Sequence, residues 1–137
     1  MNREEFQIMH SSLIEQYQFI EFHLEGIYAA ISGRNFLKAL EDVQMDSISR
    51  IIREIKEIEK DRNLSVFTED EYEKMRLIFQ RRNFWCHSCY TDLLFDAKTG
   101  GLKKREDVCE MLDDLYEAKQ LENVLHNKVV ALLQGNA

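Results

Sequence analysis

Between Phe6 and Ile31 the apolar residues fall at Phe6, Met9, Leu13, Tyr17, Ile20, Leu24, Ile27 and Ile31, in steps of three and four. A helix with one apolar face produces that spacing, because residues three and four apart share a side of a 3.6-residue turn. The pattern predicts one long amphipathic helix from about 3 to 31. Its neighbours are held to the same choice: the chain of 137 residues has no proline and only five glycines, so the residues that interrupt helices are scarce. Glu, Lys, Leu, Ile and Arg dominate what remains, which makes the expected fold class all-α.

Ser32-Gly33 ends the first helix, glycine suiting the left-handed position beyond a helix terminus. A second stripe of Leu37, Leu40, Val43, Ile48, Ile51, Ile52, Ile55 and Ile58 predicts a helix from about 36 to 60, with Glu54, Lys56, Glu57 and Lys60 facing outward. Residues 61 to 67 break the period, and Thr68-Glu69-Asp70-Glu71 reads as a capping box that starts a third helix near 69. The apolar residues of that helix, from Tyr72 to Leu94, wrap more than half its circumference. It is therefore expected to be the most buried, central to a bundle, to a subunit interface, or to both. Asp96 to Gly101 is a turn, and a last helix runs from about 103 to 133 with Val108, Met111, Leu112, Leu115, Ala118, Leu121, Leu125, Val129 and Leu132 facing inward. Four helices with short connections point to an antiparallel four-helix bundle, a single helical domain over 1–137. The stripe of the first helix would also suit an intermolecular coiled-coil seam.

The amino terminus lacks the basic start and apolar run of a signal peptide, and no segment approaches the ~18 apolar residues that span a bilayer. A cytoplasmic protein with no membrane partner is expected. Three cysteines, an odd number, suggest free thiols in a reducing compartment. A net charge of −7 counts against a broad nucleic-acid-coating role but leaves room for a small basic site.

Reactive groups concentrate in Arg81-Arg82-Asn83-Phe84-Trp85-Cys86-His87-Ser88-Cys89-Tyr90. On a helix Asn83, His87 and Thr91 share a face with Tyr90 beside them, whereas Arg82 lies about 140° round from His87. Two copies packed about a two-fold axis through this helix would bring both arginines and both histidines into one cleft. Such residues suit cleavage of RNA by its own 2′-hydroxyl, with an imidazole moving the proton and a guanidinium holding the phosphate. The plainer alternative makes His87 a core or interface histidine bonded to a backbone carbonyl.

The run Arg82-Asn83-x3-His87 resembles the motif of the HEPN superfamily, small all-helical domains that are often metal-independent ribonucleases. In that family an arginine, commonly followed by a polar residue, precedes a histidine by a short spacing, and the pair forms a site across a dimer interface. The resemblance implies that Arg82 binds the scissile phosphate, His87 is the general acid or base and Asn83 supports them, with Arg81 second to Arg82. It further implies a homodimer acting on RNA, resembling toxins or phage-defence effectors, with an antitoxin or other protein partner. In some members a tyrosine two residues after the histidine is modified; here Tyr90 comes three after. Other members are inactive binding or assembly modules, which is the alternative reading.

Among the remaining groups, Lys74, Arg76, Arg81 and Tyr90 are candidate substrate contacts. Lys103-Lys104-Arg105 reads as a solvated face or an RNA-backbone contact. Cys86-His87-Ser88-Cys89 invites a zinc or redox reading, but a structural zinc site takes four ligands and no strand precedes the pair, so both cysteines read best as small buried hydrophobes. His10, His23 and His126 show no local partners and read as surface or interface residues. Tyr17, Phe19, Phe22 and Tyr28 read as packing. No metal and no cofactor is assigned.

Overall fold

In a computed structural model, residues 2–92 and 105–135 are described, and every regular element among them is α-helical. The first, α1 (Arg3–Ile31), opens with a reciprocal cap. Asn2 Oδ1 accepts from the Glu5 amide at 2.8 Å while the Glu5 carboxylate accepts from the Asn2 amide at 3.1 Å. The apolar stripe read from the sequence is the face that is buried: Phe6, Leu13, Tyr17, Ile20, Leu24, Ile27 and Ile31 all lie inside. Burying each of the larger side chains stabilises the fold by about 1.5–3 kcal/mol. The stripe is thus covered within the chain, without a coiled-coil partner.

The expected helix from 36 to 60 is two helices, α2 (Phe36–Val43) and α3 (Ile48–Arg62). Ser47 makes the break. Its hydroxyl accepts from the Arg50 amide at 3.3 Å, and a serine beside Asp46 satisfies the backbone outside a helix as readily as within one. Met45, in the connection, is 94% exposed. On α2 the buried pair is Ala39 and Val43, four apart, and Leu37 faces solvent, contrary to its place in the predicted stripe.

At the far end of α3, Asn63 adopts a left-handed conformation with φ 52°. The Arg62 guanidinium turns back to cap α1, donating to the Ile31 carbonyl at 2.9 Å and the Ser32 carbonyl at 3.1 Å. Gly33 sits at φ 75°, and a Cβ there would overlap that guanidinium. Glycine is required by both.

The helix α4 (Glu69–His87) starts one residue after Thr68, as the capping signal predicted, and Ser88 separates it from a single turn, α5 (Cys89–Asp92). The expectation that this helix is the most buried fails. Among its described residues Met75 and Trp85 are buried, Ile78, Phe79 and Phe84 are half-buried, and Leu77 and Cys86 are exposed. Apolar side chains spread around a helix cannot all be covered by neighbours on one side, whereas the narrow stripe of α1 can. The last helix, α6 (Arg105–Leu133), buries Met111, Ala118, Leu121 and Leu125 and leaves Leu112 exposed, contrary to its expected inward place. The predicted turn at 96–101 and the residues Lys103 and Lys104 lie outside the described residues, as do the side chains of Thr91 and Arg105.

The chain gathers into two compact units. One comprises Met1–Gln18 and Asp70–Leu121, the other Phe19–Glu69 and Glu122–Ala137, so α1 and α6 contribute to both. Among the described residues no helix is long and apolar enough to cross a membrane.

Candidate functional site

The motif-bearing helix is anchored in the first unit through Trp85. The buried indole donates from Nε1 to Asp114 Oδ2 at 2.6 Å, and Arg81 Nε donates to the same oxygen at 2.7 Å. A second Arg81 nitrogen reaches Glu110 at 3.2 Å, and the guanidinium lies over the rings of Phe84 and Trp85. Burial works against the charge of Arg81, but Asp114 and Glu110 outweigh it and hold its pKa above the ordinary value. Arg81 is thereby committed to an ion-pair network between α4 and α6.

Arg82, next along, is half-buried and donates from Nη1 to Asn83 Oδ1 at 3.3 Å. Asn83 is exposed, and so is His87, the last residue of α4. The role of a half-buried imidazole bonded to a backbone carbonyl, weighed for His87, is filled by His10 of α1. Its Nε2 meets the Trp85 carbonyl at 2.8 Å. A carbonyl only accepts, so Nε2 carries the proton and Nδ1 is left to accept from the Tyr90 hydroxyl at 3.5 Å. Cys89 Sγ donates to the same Trp85 carbonyl at 3.3 Å. Near a helix end carbonyls lose their intrahelical partners, and His10 and Cys89 supply replacements.

This cluster fixes the neighbours too. Phe6 stacks on the His10 ring with centroids 5.8 Å apart, and Tyr90 meets that ring edge-on at 5.1 Å. Tyr90, a candidate substrate contact in the sequence, is therefore packed on α1 along one edge. Burial pushes the Cys89 thiol up to about 11, so it stays neutral and bonded near neutral pH, whereas Cys86, also expected to be buried, is exposed, as is Cys109, and neither is in a disulfide.

The other expected substrate contacts fall nearby in sequence but in different surroundings. Arg76 pairs with Glu73 at 2.6 Å on the exposed side of α4. Lys74 and Arg81 line a cavity of about 280 Å³ with Tyr17, Asp114 and Glu117. The two carboxylates of that lining balance its two cations, so it carries no net positive charge to draw a phosphate. The Tyr17 hydroxyl is buried with no hydrogen-bond partner among the described residues, and burial, then Asp114, hold its pKa above the ordinary value.

In the second unit, His23 Nε2 lies 2.9 Å from Glu122 Oε1, and the rings of His23 and His126 meet edge-on with centroids 5.4 Å apart. The sequence offers no local partner for His23, because 99 residues separate it from Glu122. The one local signal was Glu122-x3-His126, a carboxylate and an imidazole four apart on a predicted helix.

Comparison with family models, with curated proteins and with solved structures gives no match to this chain.

Proposed function

We propose that the chain is a metal-independent endoribonuclease of the HEPN type, a bundle-like homodimer acting as a toxin or defence effector in the cytoplasm. The observation that carries this reading is the state of the motif on α4: an exposed imidazole at His87, with the Arg82 guanidinium held beside Asn83.

In the proposed reaction His87 takes the proton of a ribose 2′-hydroxyl, and that oxygen attacks the adjacent phosphorus. The bond to the 5′-oxygen breaks, and the leaving oxygen receives a proton from the second imidazole of the dimer. The products are a 2′,3′-cyclic phosphate and a 5′-hydroxyl. Arg82 neutralises the charge that builds on the phosphoryl oxygens, and Asn83 holds the guanidinium in place. A dimer is needed because five residues along one helix leave Arg82 and His87 about 140° apart.

The second reading, a catalytically silent interaction or assembly module, draws support from Leu112 and Tyr116, exposed apolar residues four apart on α6, and from exposed Leu77 on α4. Expression in a bacterial host separates the two. The nuclease reading expects growth arrest, relieved by either Arg82→Ala or His87→Ala, with cellular RNA carrying cyclic phosphate ends only under the parent protein. If the two variants arrest growth as strongly as the parent, the nuclease reading is wrong.

A further inference from the structure

We infer that His23, Glu122 and His126 form a binding site for a divalent transition-metal ion of the zinc class, with a coordination position left open to water. The site shares no residue with the proposed ribonuclease chemistry, and its test is independent of it.

Three donors converge from two helices. On α6, Glu122 and His126 are four apart and project to one side. From α1, His23 meets them, with one donor atom from each of the three residues lying within 4.8 Å of the others. Gly26, three residues after His23, is buried and faces Val129, three residues after His126, closely enough that a Cβ on it would make ordinary contact at 3.7 Å with both methyls. The two helices are thus in direct packing contact beside the three donors.

The distances suit a metal. Bonds of about 2.0–2.1 Å in a tetrahedral shell set ligand atoms about 3.3 Å apart. His23 and Glu122 stand at 2.9 Å, and the widest separation allowed by the 4.8 Å limit closes by a rotation of about 1.5 Å, which the exposed His126 can make. A plain ion pair would explain His23 with Glu122 alone. It gives no reason for the second imidazole, which would repel the first if both were charged; a cation makes all three useful at once. The His23 side chain is 12% exposed and that of Glu122 27%, so both have already lost much of their hydration.

Two imidazoles and a carboxylate favour zinc and its transition-metal neighbours over magnesium or calcium, which take oxygen ligands. Three protein ligands, one short of a structural zinc site, leave a position for water or an incoming anion.

The experiment is calorimetric titration of the EDTA-stripped full chain with zinc chloride, beside visible spectra of the cobalt(II)-loaded protein. One equivalent of zinc is expected to bind, and the cobalt spectrum should lack the thiolate charge-transfer band. Glu122→Gln and His126→Ala, both at partly or wholly exposed positions, should each weaken binding about tenfold or more with helicity unchanged, while Cys86→Ser with Cys89→Ser should not. The inference is overturned by no binding at about 100 μM zinc, by unchanged affinity in Glu122→Gln and His126→Ala, or by loss of binding in the cysteine variant.

Discussion

His10 and His23 lie on the same helix, yet their imidazoles serve opposite ends. In the first unit His10 meets a main-chain carbonyl and an aromatic wall, Trp85 O on one side and Phe6 and Tyr90 on the others. In the second, His23 meets a carboxylate and another imidazole. The first set satisfies the ring and leaves nothing over, which is how an imidazole becomes structural. The second gathers three donor groups around one point, where the inferred metal ion would bind. Residue type and helix are the same; what differs is whether the partner is backbone or side chain.

The largest effect that would sharpen this contrast is on Trp85, whose carbonyl and indole tie His10, Cys89 and Asp114 together. Trp85→Ala is expected to cost about 3–5 kcal/mol in urea unfolding, by cavity formation and loss of the Asp114 bond. A cost under ~1 kcal/mol would mean that the α4 end is not organised around this residue. Gly33→Ala comes next, at about 1–3 kcal/mol, because alanine is strained at φ 75° and displaces the Arg62 guanidinium from the Ile31 and Ser32 carbonyls. His10→Ala should cost about 1–2 kcal/mol, since Cys89 still bonds the Trp85 carbonyl. Thermal melts beside Gly33→Ala would rank the two.

The smallest effect has the opposite sign. Tyr17→Phe removes a buried hydroxyl that has no partner among the described residues, so stability should stay level or rise by up to about 1 kcal/mol. A clear loss would show that the hydroxyl is satisfied in solution. Alkaline pH probes the same region. Burial keeps the Cys89 thiol and the Tyr17 phenol neutral, with pKa values raised above those of an unfolded chain. Their contribution is complete below the ordinary thiol and phenol values and is lost as pH rises through the folded ones. The melting temperature should therefore fall above about pH 9, and Cys89→Ala should flatten the segment up to about 11. Unchanged melting across that range in the parent protein would contradict the burial of both groups.

How much of this could be read from the sequence depended on distance along the chain. The span and buried face of α1 were legible from the three-and-four spacing alone, as was the start of α4 from Thr68. The split between α2 and α3 was missed because Ile48, Ile51 and Ile55 continue an apolar stripe, while the signal that breaks it is a single hydroxyl at Ser47. The burial of α4 was overestimated, because apolar content around a helix does not say how many neighbours it has. Within the candidate site, the order Arg82-Asn83-His87 is local and was visible. The partners of Arg81, His10 and His23 are Glu110, Asp114, Trp85 and Glu122, which no periodicity connects.

The assignment of separate roles to the histidines is tested most directly by RNA cleavage in EDTA, with the parent chain beside His87→Ala, His10→Ala and His23→Ala, each rate normalised to the folded fraction seen by circular dichroism. Loss of about 10²–10⁴-fold in His87→Ala, with near-parental rates in the other two, is the predicted result. Parental cleavage by folded His87→Ala, or its loss in His10→Ala, would contradict it.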